Sequence, residues 1–171
     1  MRIALLPLGA ISEETVGQLG ADLREAGVGV TVRPPRGVPA EAYASARDQY
    51  LASDLLALAR GSRGEHVLVV TEVDLYVEPL SFVFGQADVG GQAAVISLRR
   101  LASPESRIFR RRAVTEALHE LGHNAGLDHC RKPACVMYFS NRLVDTDRKG
   151  PNPCGVCSAR LGDDAGWHSP A

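Results

Sequence analysis

The first two-thirds of the chain alternates two hydrophobic periods. Residues 2–7 form a short continuous apolar run, the pattern of a strand buried on both faces. Ser12 stands where a helix N-cap belongs, Glu13 and Glu14 suit the positive end of a helix, and Val16, Leu19, Leu23 and Ala26 make a helical stripe that Gly27 stops. Residues 28–33 alternate like a half-buried strand, which completes a β-α-β unit and predicts parallel strands with a right-handed crossover. After a loop marked by Pro34, Pro35 and Pro39, the residues Tyr43, Ala46, Tyr50, Leu51, Leu55 and Leu58 recur at helical spacing over 40–60, and Gly61 is the expected stop. Residues 67–70 read as a third buried strand, which Val73, Leu75 and Val77 continue in alternation.

Residues 81–98 differ in character. Ser81-Phe82-Val83-Phe84 is a short aromatic strand that Gly85 breaks, Asp88 to Gly91 is a turn, and residues 92–98 are another strand. The short Gly-containing connection predicts an antiparallel edge on the parallel sheet, with an isolated surface hairpin as the simpler alternative. Ser103-Pro104-Glu105 starts a helix expected over about 104–125, in which Ile108, Phe109, Val114, Leu118 and Leu121 run toward Gly126. Arg110-Arg111-Arg112 reads as a solvated face of that helix. Beyond Gly126 regular structure is hard to read, and residues 127–171 look like a loop-rich lobe held by something other than a core.

With 171 residues, 45% hydrophobic and 23% charged, the chain is an ordinary globular one, and a single domain is expected: an upper lobe over about 1–126 and a lower lobe over 127–171. The net charge of −1 gives no general attraction to nucleic acid or an anionic membrane. No apolar run approaches the ~20 residues needed to span a bilayer. The first apolar run has one basic residue, holds Pro7, and meets Ser12-Glu13-Glu14 where a cleavage site should lie, so it reads as a strand and not as a signal peptide. A cytoplasmic protein, most simply a monomer, is the expectation.

Function must therefore come from local chemistry, and one stretch carries it: His119-Glu120-Leu121-Gly122-His123-Asn124-Ala125-Gly126-Leu127-Asp128-His129. On a helix, His119 and His123 stack on one face and both imidazoles can reach one metal ion. Glu120 is rotated by about 100°, beside that metal and not on it, where a carboxylate can act as general base toward a zinc-bound water. His129 cannot join them if the helix continues, because six residues carry it ~9 Å along the axis. Gly126 is the residue type that lets the chain turn back.

Four cysteines follow, Cys130, Cys135, Cys154 and Cys157, as two short pairs around one loop. That spacing suits tetrahedral thiolate ligation of zinc. Two disulfides are the alternative, disfavoured in a reducing compartment. A zinc-ribbon-like nucleic-acid module lacks the basic excess it needs, and a redox role for Cys154-x2-Cys157 lacks a thioredoxin-like context.

The full H-E-x-x-H-x-x-G-x-x-H, followed by Met137, resembles the metzincin metallopeptidases. Cys130-x4-Cys135-x-Met137 with Cys154-x2-Cys157 is similar to the archaemetzincins in particular, and residues 82–87 and 96–101 extend the likeness more weakly. Residues 138–153, 16 in all, separate Met137 from Cys154, one fewer than the family pattern has. The resemblance implies a metzincin-like α/β fold: a mixed, mostly parallel sheet with an antiparallel edge strand, an active-site helix and a small zinc-stapled C-terminal lobe. It implies two zinc ions: a catalytic one on His119, His123 and His129 with Glu120 as general base, and a structural one on the four cysteines. Met137 would form the floor beneath the histidines.

The expected activity is zinc-dependent hydrolysis of a peptide or protein substrate. That substrate would pair with the edge strand near Phe82, Val83, Phe84 and Gly85. The alternative is a two-zinc binding or regulatory protein of the same fold with little turnover. Aminopeptidase and endopeptidase action stay open; Asp74, Glu78 and Asp88 are candidates to hold a substrate α-amine, and Tyr138 could offer a phenol to the metal site. His66 and His168 are not expected to bind metal.

Overall fold

The computed structural model describes residues 1–60 and 66–161. The expected helix stop at Gly61 and the tail holding His168 lie outside the described residues. Strand β1 (Arg2–Leu8) sends apolar side chains both ways, Ile3 and Leu5 into one core, Ala4, Leu6 and Leu8 into another. It is one of three inner strands of a five-stranded sheet that also holds β2 (Gly29–Val32), β5 (His66–Thr71), β7 (Gly85–Ala87) and β8 (Ala93–Ser97), in the order β2-β1-β5-β8-β7. The first four strands are parallel and β7 runs antiparallel at the edge, as expected. Buried on both faces, β5 and β8 alternate between the two cores just as β1 does.

One face of the sheet is covered by α1 (Glu13–Glu25) and α3 (Ser106–Asn124). The Ser12 hydroxyl caps α1 by accepting from the Thr15 N–H at 3.1 Å. At the other end Gly27 takes φ +87°, with Gly27 and Val28 N–H groups returning to the carbonyls of Arg24 and Leu23. The opposite face packs against α2 (Ala52–Ala57).

The stretch 40–60 departs from the expected helix. After a short 3-10 turn it forms a hairpin, β3 (Tyr43–Ala44) and β4 (Gln49–Leu51), and only residues 52–57 are α-helical. Tyr43 and Tyr50 are seven apart, a spacing that fits two helical turns. Here they face each other across the hairpin, with ring centroids 5.1 Å apart. The predicted continuation of β5 also ends early: Leu75–Tyr76 is a separate strand, β6, paired with β4 in a second small sheet.

Two boundaries shift by a few residues. Ser81–Phe84 is not the edge strand and Gly85 does not end it; Gly85 begins β7, while the Val83 N–H donates to the Leu75 carbonyl. Helix α3 starts after Glu105, which has no side-chain cap bond, and the Ser103 hydroxyl instead accepts from the Glu105 N–H. The segment after Gly126 holds two short helices, α4 (Leu143–Arg148) and α5 (Gly155–Leu161), that the sequence did not announce.

Arg110 and Arg111 are exposed, as expected of a solvated face, and Arg112 is half-buried, but all three have partners. Arg110 pairs with Asp22 on α1, Arg112 with Asp147 on α4, and Arg111 donates to the carbonyls of Asp147 and Lys149. Three arginines on one helix thus tie it to α1 on one side and to the C-terminal segment on the other.

Candidate active site and metal centres

From Ala113 to Asn124 every residue of α3 is buried, so this half of the helix cannot be amphipathic. Its polar members, Thr115, Glu116, His119, Glu120, His123 and Asn124, are cut off from water, and Thr115 Oγ1 and Asn124 Oδ1 find no hydrogen-bond partner among the described residues. Asn124 donates to the carbonyls of Asp88 and Ala93, and the His123 carbonyl accepts from the Gly90 N–H, which fixes the helix end against the β7–β8 turn. Gly126 takes φ +84°, and the N–H groups of Gly126 and Leu127 return to the carbonyls of His123 and Gly122. This left-handed stop reverses the chain and carries His129 back beside the helix.

The three imidazoles converge. Nε2 of His123 lies 3.3 Å from Nε2 of His119 and 3.2 Å from Nε2 of His129. Nδ1 of His119 bonds the Val136 carbonyl and Nδ1 of His123 the Leu127 carbonyl, each at 2.7 Å. A carbonyl oxygen only accepts, so both Nδ1 atoms carry the proton and both Nε2 lone pairs face the shared point. Burial holds all three rings below the usual histidine pKa, His119 furthest, with Lys149 adding to the effect at each of them. Neutral imidazoles with lone pairs at this separation repel unless a cation lies between them. Tetrahedral zinc with 2.0–2.1 Å bonds has ligand–ligand edges of about 3.3–3.4 Å, which these nitrogens already match.

Glu120 stands beside this point on the next face of the helix. Burial, and then the neighbouring Glu116 carboxylate, push its pKa to about 8, against the opposing pull of Lys149. A dication at the histidines draws it down again. Its carboxylate lies against β7, where a Cβ on Gly85 would come within 2.6 Å of Glu120 Oε1 and of the Val95 carbonyl. Gly85 is therefore needed for close approach, not to break a strand. Gly85→Ala must displace either Glu120 or the edge strand, at a cost of ~1–3 kcal/mol. The expected result is a lower Tm and reduced hydrolysis with zinc content retained; unchanged hydrolysis would show that the carboxylate has room to spare.

Along residues 80–84 and the first residue of β7, Gly85, runs a cleft of about 170 Å³, with His119, Glu120 and Glu116 of α3 and Phe139, Ser140 and Asn141 as its other walls. Among the described residues, the outer edge of β7 has no partner strand. Phe139, which the sequence did not single out, packs on His129 with ring centroids 4.8 Å apart. Tyr138 contributes through its backbone: its N–H donates to the Cys135 carbonyl and its own carbonyl accepts from Lys149.

The four cysteine sulfurs form a second cluster, all within 4.8 Å of one another. Sγ of Cys130 and Cys154 are 3.8 Å apart, the edge of a tetrahedron with Zn–S bonds of ~2.3 Å. The backbone N–H of Cys157 draws the Cys154 thiol down to about 6, whereas burial pushes Cys135 and Cys157 up. Lys132 and Cys154 N–H groups donate to the sulfurs of Cys130 and Cys135 and orient them. All four sulfurs share one centre, an arrangement for one ion and not for two separate bridges.

Residues 40–163 match the model of peptidase family M54. An archaemetzincin from Methanopyrus kandleri is 48% identical over 126 residues, 72% of each chain. The chain belongs to the archaemetzincin family. The solved archaemetzincin of Archaeoglobus fulgidus, in complex with malonate, superposes with a TM-score of 0.87 at 37% identity, over 94% of this chain and 99% of that one. A zinc-dependent peptidase from Methanocorpusculum labreanum superposes at 0.76 with 27% identity, over 94% and 100%. As an archaemetzincin the chain is a zinc metallopeptidase, and its fold is the expected metzincin-like one. None of the described helices is long and apolar enough to cross a membrane.

Within this archaemetzincin framework Met137 is fully buried in the main core, next to Val136, whose carbonyl orients His119. The three acids proposed to meet an α-amine are each engaged. Asp74 is held by Arg100 and Gln49, Asp88 by Arg60, and Glu78 faces Arg47 at 3.4 Å. Burial alone would raise Asp74, but its Arg100 and Gln49 bonds keep it below the usual carboxylate range. Glu116 was overlooked. It lies one turn before Glu120 on the same helix face, the one signal that could have marked it.

Proposed function

We propose that His119, His123 and His129 hold the catalytic zinc, that Glu120 is the general base, and that Cys130, Cys135, Cys154 and Cys157 hold a second, structural zinc. The observation that carries this is the convergence of three Nε2 atoms at zinc-ligand spacing, those of His119 and His123 freed of their protons by Nδ1–carbonyl bonds, with Glu120 beside them. Zinc at such a site supplies Lewis acidity toward the scissile carbonyl and the attacking water. The chain supplies the rest. A substrate strand lies along the unpaired edge of β7, with Phe82, Val83 and Phe84 on the rim just before it, where main-chain bonds give affinity without dictating side chains. Glu120 takes the proton from water and delivers it to the leaving amine, and the walls of the cleft limit access of bulk solvent.

The same reading makes the protein a single catalytic domain that acts as a monomer, with Met137 packed beneath the histidines. Incubation with a chelator abolishes hydrolysis of a fluorogenic peptide and added zinc restores it, if the reading is right. Activity that survives full zinc removal sinks it, and zinc-replete protein without turnover favours the binding or regulatory alternative. Metal analysis of protein made in zinc-replete, reducing conditions returns two zinc ions per chain.

Because Asp74, Asp88 and Glu78 are all matched to arginines, we read the cleft as accepting chain on both sides of the scissile bond. N-acetylation of a peptide substrate then leaves cleavage at internal bonds unchanged. Loss of cleavage on acetylation, with restoration by a free α-amine, marks an aminopeptidase instead.

A further inference from the structure

Behind the cleft lies a charged pair whose charges are felt at Glu120 and the histidines, but whose hydrogen bonds serve no step described above. Lys149 is the largest fully buried side chain and Glu116 is 2% exposed. Lys149 Nζ donates to Glu116 Oε2 at 3.2 Å and to the Tyr138 carbonyl at 3.1 Å. Glu116 Oε1 accepts from Thr146 Oγ1 at 2.7 Å and from Ser140 Oγ at 3.3 Å. A buried ion pair is poor evidence for stability, because desolvation of the two charges offsets their attraction. Its contribution must be sought in what it holds in place.

What it holds is one short strip. Tyr138 and Ser140 flank Phe139, and each is tied to one member of the pair. Phe139 packs on His129 and, with Ser140 and Asn141, forms one wall of the cleft. On the other side Glu116 belongs to α3, the helix that carries His119 and Glu120. Arg111 grips the same segment through the Asp147 and Lys149 carbonyls.

We propose that Glu116 and Lys149 are positioning residues: the ion pair fixes Phe139 against the active-site helix, and so sets the substrate-binding wall opposite β7 and the packing on His129. The hydrogen bonds of the pair act on substrate binding, while its two charges act on Glu120 in opposite directions and are removed together in the double variant below. The proposal rests on the peptidase reading for where the substrate lies, but the anchoring of Phe139 can be measured without any substrate.

The test uses the zinc-loaded protein and a double variant, Glu116→Gln with Lys149→Met, which removes both charges while leaving an acceptor for Thr146 and Ser140. Amides of residues 139–142 should exchange with deuterium about tenfold faster, the effect of losing one bond to a charged group. Zinc content and the exchange of α1 and the central sheet should not change. In peptide hydrolysis KM should rise by a similar factor with kcat nearly unchanged. Should the double variant fail to fold, Ser140→Ala and Thr146→Val decide: each deletes one bond to Glu116, and only the first, beside Phe139, should speed exchange at 139–142 and raise KM.

Unchanged exchange at 139–142, equal effects of the two hydroxyl deletions, or a fall in kcat at constant KM each overturn the proposal. Wild-type protein without peptidase activity defeats the peptidase reading instead, and the exchange experiment still decides the anchor.

Discussion

Glu120→Gln lowers peptide hydrolysis by ~10²–10⁴-fold, the usual contribution of a positioned general base, while zinc content and Tm stay near wild type. Gln is chosen because Glu120 is 5% exposed and pressed against Gly85, so truncation to Ala would add a cavity to the loss of the base. The amide keeps the volume and cannot take a proton. The imidazoles are untouched: the Nδ1 protons of His119 and His123 are held by the Val136 and Leu127 carbonyls, His129 is packed on Phe139, and none of the three is held by Glu120. His129→Ala behaves differently: it weakens the histidine site, so activity is lost through metal loss and excess zinc recovers part of it. Undiminished hydrolysis by Glu120→Gln, or loss of the histidine-site metal, would mean that Glu120 is not the base.

That contrast between neighbouring residues was legible because it depends on local geometry alone. His119, Glu120 and His123 are placed by helical periodicity, and Gly126 by the left-handed turn that only a residue without Cβ makes cheaply. The parallel sheet was legible for the same kind of reason, since β1, β5 and β8 are continuous apolar runs whose burial on both faces leaves few alternatives. Where the local pattern satisfies two periods the sequence is ambiguous. Tyr43 and Tyr50 fit two turns of helix and also a cross-strand pair, and the hairpin prevails because β4 pairs with β6 at the same time.

Partners distant in sequence were not legible at all. Arg110 and Arg112 look unpaired until Asp22 and Asp147 arrive from elsewhere in the chain. Lys149 looks like a surface lysine until the fold buries it against Glu116. Hydrophobic period reports which face of an element is apolar; it carries no record of which charges meet across elements. The polar architecture behind the active site therefore emerges only with the tertiary structure.

Cys154→Ser has the larger structural consequence. Structural zinc contributes ~10–16 kcal/mol on binding in small peptides, comparable with the ~5–15 kcal/mol that holds a whole domain. Here the four sulfurs do not form a detached staple. Cys135 and Cys157 are part of the main core with Val136, Met137, Leu118 and Leu121. Cys130 donates its N–H to the Met137 carbonyl and adjoins His129, while Cys135 adjoins Val136, the carbonyl that orients His119. Loosening this centre therefore reaches two of the three histidines through the backbone. The variant should lose the cysteine-site zinc, unfold at a markedly lower temperature or become insoluble, and bind zinc at the histidines more weakly even where it stays folded. Because coupling between sites is reciprocal, emptying the histidine site should also make the cysteine-bound zinc easier to remove by a chelator, by the same factor. The measurements are zinc stoichiometry, Tm and chelator competition on the wild type, Cys154→Ser and His129→Ala. A folded Cys154→Ser protein with full histidine-site affinity would show the two centres to be independent, and would reduce the cysteine cluster to a dispensable surface clip.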